Sequence, residues 1–179
     1  QWNDIGLYSS AFGLDNSASG NYATIGGGRD QEASGEGATV CGGGTVGSSF
    51  LGNYASGPGS TIGGGYGNEA TAHFSFIGGG ESNLTEGHSS VIGGGGLNTI
   101  ASTAVYQTIG GGGSNDTSAS FATVGGGYSN IASSVAAVVA GGGRNEGGVA
   151  GNTASGFGSA VLGGASNTAT APFAAVGGG

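Results

Sequence analysis

One aliphatic residue returns roughly every 15 positions along the chain, just ahead of a glycine run. The series is Ile25, Val40, Ile62, Ile77, Ile92, Ile109, Val124, Val139, Leu162 and Val176, with Cys41 or Ala140 intervening after two of them. A β-branched or Leu residue at one phase predicts an inward ladder inside a stack of coils. Two positions earlier stands a small residue, such as Ala23, Ala38, Ser60, Ser75, Ser90 or Ala122, and Gln107 is the exception. Side chains alternate along a strand, so this position shares the inward face, and its small size predicts a thin roll.

The intervening positions carry Thr24, Thr39, Thr61, Phe76, Val91, Thr108, Thr123, Val138, Val161 and Ala175. Three before the ladder residue come Tyr22, Phe74, Tyr106, Phe121 and Phe173. Alternation places both sets on the outer face. A strand apolar on both faces is ordinarily buried on both sides. A single thin roll buries only one, so the outer face calls for other copies of the chain. The expected self-assembly face is Tyr22, Thr24, Phe74, Phe76, Tyr106, Thr108, Phe121, Thr123 and Phe173.

Past each glycine run lies Asn-x-Ala or a variant, as at Asn53-Tyr54-Ala55 and Asn68-Glu69-Ala70. Asn suits a turn and stacks into hydrogen-bonded ladders. Gly20, Gly35, Gly57 and Gly156 are expected to close their coils with positive φ. Each coil therefore reads as strand, Gly turn, Asn turn, short strand, Gly turn. The predicted fold is all-β: one parallel β-solenoid over residues 1–179, of about ten 15-residue coils, without helix. Two coils, 42–62 and 141–162, are longer, and their extra residues fall near 45–51 and 144–151. Similar flanks, Leu51 to Gly57 and Ala150 to Gly156, read either as a super-repeat of six coils or as two independent insertions.

Composition narrows the function. Glycine makes up 47 of 179 residues with only 2 Pro and no Gly-X-Y period, which excludes collagen. Two Arg, no Lys and ten acids give a formal charge of −8, so no basic patch exists for nucleic acid or an anionic membrane. No apolar run approaches the ~20 residues of a membrane-spanning helix. No secretory signal pattern stands at the start, and Gly179 falls inside a repeat, so more chain is expected. Cys41, the only cysteine, is expected to be a small buried filler.

Candidate chemistry is sparse. His73 and His88 share one phase on successive coils and read as an exposed ladder in preference to a metal site. Gly93 to Ile100 resembles a calcium nonapeptide with Asn98 in place of Asp, but the period is wrong. Phosphate-loop and catalytic-triad patterns are missing from the sequence, so no catalysis and no cofactor are expected. Asn83-Leu84-Thr85 and Asn115-Asp116-Thr117 are glycosylation sequons. The threonine row invites an ice-binding reading, which Phe76, Val91, Val138, Val161 and Ala175 interrupt.

Residues 13–26, Gly-Leu-Asp-Asn-Ser-Ala-Ser-Gly-Asn-Tyr-Ala-Thr-Ile-Gly, resemble the head repeat of YadA-type trimeric autotransporter adhesins, as do residues 151–163. Phage tail-fibre repeats are similar. The glycine triplets and the 15-residue period depart from that family's spacing. The resemblance implies a left-handed β-roll, a homotrimer and a cell-surface location. Together the readings predict an extracellular structural protein, a segment of a surface filament or fibre that assembles with itself. The alternative is an adhesin or phage-fibre head that meets a host-surface receptor or glycan through loops 45–51 and 144–151. An ice-binding solenoid is a third.

Overall fold

A computed structural model describes residues 4–46, 49–101, 104–143 and 150–179. The described chain contains strands and turns and no helix. It winds as a parallel β-solenoid with two short strands per coil, each two residues long, stacked into two eleven-stranded sheets. One, the anchor sheet, runs from Ser10–Ala11 through strands such as Thr39–Val40, Val91–Ile92 and Thr123–Val124 to Ala175–Val176. The other, the asparagine sheet, runs from Asp4–Ile5 through Ser17–Ala18, Leu84–Thr85 and Asp116–Thr117 to Thr168–Ala169. Eleven rungs at about 4.8 Å give a rod about 50 Å long.

The core lies between the sheets. Ile25, Val40, Ile62, Ile77, Ile92, Ile109, Val124 and Val139 are fully buried at one register of the anchor sheet. Opposite them sit Ala18, Ala33, Ala55, Ala70, Ala132 and Ala154. The small residues two before the anchors, among them Ala23, Ser75 and Ser90, are also buried. An aliphatic residue from one sheet facing alanine from the other fills a roll only one side chain thick.

The ladder shifts frame once. Val139 pairs with Val161, not Leu162, and Val161 with Val176. Val161 is fully buried while Leu162 is 62% exposed, so Leu162 does not belong to the core. Leu162 occupies the place of the first glycine of the run, the position that Cys41 and Ala140 take in their coils. Cys41 is accordingly exposed, not a buried filler. Val176, on the last rung of the sheet, is half-buried.

Glycine is demanded by contact at the third position of each run. At Gly95, with φ 90°, a Cβ would stand 2.0 Å from the Gly112 carbonyl oxygen of the next coil. Gly20, Gly35, Gly57 and Gly156 do not have positive φ. The left-handed residue of that corner comes two positions later, at Tyr22, Gly37, Gly59 and Gly158.

Candidate self-assembly surfaces

Asparagine builds the inside of the glycine corner. Asn53, Asn68, Asn83, Asn98, Asn115, Asn130 and Asn152 are buried, one per coil. The Asn68 amide Nδ2 donates to Asn53 Oδ1 at 3.0 Å, to the Gly64 carbonyl at 3.1 Å and to the Gly80 carbonyl at 2.9 Å. Its backbone N–H donates to the same Asn53 Oδ1 at 3.0 Å. The pattern repeats at Asn83, Asn98 and Asn115, so each side chain ties three consecutive coils. Left-handed backbone falls on the residue before the asparagine, at Asp15, Ser82, Leu97, Ser114 and Ser129, and at Asp30 before Gln31, which takes the asparagine's place in its coil. Both sequon asparagines, Asn83 and Asn115, are ladder members with no surface for a glycan. Asn98, the would-be calcium ligand, spends its groups on Asn83, Gly94 and Gly112.

At the opposite corner the chain turns through left-handed backbone once per coil. Six of these eleven positions carry an aromatic residue: Tyr8, Tyr22, Phe74, Tyr106, Phe121 and Phe173, with φ from 54° to 62°. They are 55–76% exposed. These residues lie beside the anchor strand, not on it: the strand is two residues long, so alternation ends before reaching them. Backbone bonds hold the corner, as where Phe74 N–H donates to the Pro58 carbonyl at 2.9 Å and Phe121 N–H to the Val105 carbonyl at 3.0 Å. Tyr8 stacks on Tyr22 at 5.5 Å and Tyr106 on Phe121 at 5.6 Å. A Cβ at Gly59 would touch the Phe74 ring at 2.7 Å, so that ring lies over its glycine neighbour. The result is an aromatic ridge along one edge of the anchor sheet.

The sheet's outer row is mixed in the expected way. Thr24 and Phe76 are exposed, and Thr108 and Thr123 half-buried. Threonine occupies three successive rungs at Thr24, Thr39 and Thr61 and two at Thr108 and Thr123, separated by Phe76 and Val91. Across this row from the ridge lie the paired glycines that open each run, such as Gly93 and Gly94. They leave a shallow trough.

Charge is segregated. Every residue of the ridge, the outer row and the two glycine rows is uncharged. Carboxylates mark the outer register of the asparagine sheet at Asp4, Glu32, Glu69 and Asp116. Half-burial pushes the Asp116 carboxyl above its ordinary value by desolvation. Arg29, at a corner, lies 3.4 Å from Asp30 and 3.9 Å from Asp15.

His73 and His88 stack at 5.9 Å on successive coils, and Ser89 Oγ lies 2.8 Å from His88 Nδ1. Among the described residues no three His, Cys, Asp or Glu side chains gather as a metal site. The described residues form no helix long and apolar enough to cross a membrane.

The longer coils leave the roll at one corner. Thr39 pairs with Thr61 and Val138 with Ala160, each across 22 residues. The first excursion forms an antiparallel hairpin, Thr45–Val46 with Ser49–Phe50. Of the second candidate loop, residues 144–149 lie outside the described residues, as do residues 47 and 48 of the first. Their flanks match in space. Gly44 and Gly143, 99 residues apart, have φ 88° and 94°. A Cβ at Gly52 or Gly151 would stand 1.5 Å from the carbonyl oxygen of Asp30 or Ser129. The two excursions are six rungs apart, about 29 Å.

No family model matches the chain, and no curated protein matches it at a significant level.

Proposed function

We propose that this chain is a structural segment of an extracellular surface filament or fibre, a stiff rod that assembles with its own copies through the apolar outer side of the anchor sheet. Its role is mechanical, not catalytic, and it needs no cofactor. One observation carries the reading: six bulky aromatics occupy left-handed backbone while exposed to water. Left-handed backbone costs a non-glycine residue about 1–2 kcal/mol, and glycine serves the same corner at Gly37, Gly59 and Gly158. Neither the turn nor the core needs these rings. Strain and exposure kept together support a contact made outside the monomer.

Sedimentation equilibrium of the purified chain, with electron microscopy of the same sample, tests this. Masses at multiples of 16.6 kDa and elongated particles are expected. A chain that stays monomeric at tens of micromolar overturns the self-assembly.

A second reading is an adhesin or phage-fibre head whose partner is a host-surface receptor or glycan. The two excursions leaving one corner six rungs apart favour it. Under it, excising residues 45–50 and 144–149 abolishes surface binding and leaves self-association intact.

A further inference from the structure

The outer side of the anchor sheet has a shape as well as a polarity. Crossing it along the chain direction, the ridge of Tyr106 and Phe121 comes first, then the row of Thr108 and Thr123, then the glycine trough. The ridge stands on one side of the row and the trough on the other. A two-fold axis parallel to the rod, placed over that row, carries each ridge onto the partner's trough. An axis across the rod would set ridge against ridge. We propose that two copies of this chain pair side by side and parallel, ridge into trough, with the carboxylates of the asparagine sheet left facing water. The inference rests on the self-association reading above and names its geometry.

Three observations support it. The first is charge: the ridge, outer row and trough hold no ionisable carboxylate, Lys or Arg, whereas the opposite sheet carries Glu32, Glu69 and Asp116. Packing that sheet against a copy would desolvate like charges, and packing the anchor sheet desolvates none. The second is area. Eleven rungs by about five residues of width give roughly 800 Å² per partner, the amount a stable pair of proteins ordinarily buries. The third is the trough itself. From Gly63 to Gly126 five successive coils open on two glycines, and a sheet without side chains there lets an aromatic ring reach its backbone.

The test compares variants of the full chain by sedimentation equilibrium, with thermal melts to confirm folding. Tyr106→Gly with Phe121→Gly removes the stacked pair at the middle of the ridge and relieves left-handed strain, so the fold is spared. Gly27→Trp with Gly163→Trp obstructs the trough near both ends of the rod, where a side chain meets no atom within 4 Å and φ is not left-handed. Each pair is expected to weaken association at least about 30-fold, while Thr153→Lys on the asparagine sheet leaves it unchanged. Should either pair melt early, Thr123→Lys on the outer row replaces it. Orientation is read from Cys41, which is exposed beside the trough. In a parallel pair the two Cys41 stand at one height, and a short bis-maleimide joins them. An associating wild type whose ridge and trough variants still associate overturns the inference and leaves the self-association reading standing. So does equal weakening by Thr153→Lys, or no Cys41 cross-link. A monomeric wild type overturns both.

Discussion

Asn98 concentrates what one residue does in this rod. Its Oδ1 accepts from the Asn115 N–H and Nδ2, and its own Nδ2 donates to the Gly94 and Gly112 carbonyls. Asn98→Ala strands these buried groups at about 1–3 kcal/mol for each left unsatisfied, so a loss of about 3 kcal/mol or more is expected in thermal or denaturant unfolding. A loss within 1 kcal/mol would refute the ladder's role. Asp116 offers a pH test. It sits between Thr99 and Ile131 on its sheet, and desolvation raises its carboxyl in the folded chain. The folded state therefore holds this proton to higher pH than the unfolded state. Its share of stability falls as pH rises through the window between the two values, and is greatest below it. Asp116→Asn should flatten that acid-side slope and leave the neutral fold at least as stable. A slope unchanged in urea titrations across that window would count against the assignment. The sequence made asparagine legible as a turn and ladder residue, but not as a buried one. Burial comes from the glycine corner folding over it, a contact between coils that no local pattern contains.

At the scale of the strand, two residues suffice for a rung because the next coil completes the hydrogen bonds. The shortness explains the first of two misplacements in the alternation reading. It carried Tyr22, Phe74, Tyr106, Phe121 and Phe173 onto the strand, where the backbone has already turned left-handed. It also took Leu162 as the ladder residue because Leu162 directly precedes the glycines, while pairing selects Val161. The two valine-leucine neighbours separate cleanly by experiment. Val161→Ala should cost about 1–3 kcal/mol of unfolding free energy through lost burial and a cavity, and Leu162→Ala less than about 0.5 kcal/mol. Equal losses would restore Leu162 to the core. Cys41 and Ala140 already hinted at this frame, since each shows that the first position of the glycine run tolerates a side chain.

For the whole molecule, the 15-residue period, the aliphatic anchors and the asparagines decided the solenoid by themselves. A repeat that buries one residue every coil and cannot close a core alone must stack. The matching flanks of the long coils, 99 residues apart, also stood in the sequence, and their shared corner and matching glycine geometry favour a six-coil super-repeat over unrelated insertions. What only the tertiary structure decided is how the outside is divided. The winding gathers carboxylate-free rows on the outer side of one sheet, sets a strained aromatic ridge along its edge and lays a glycine trough beside it. Each row exists only through the ~4.8 Å stacking of coils, which lines up one residue from every coil. Sequence periodicity tells which positions recur, whereas the turn geometry between the strands decides which of them face the same way.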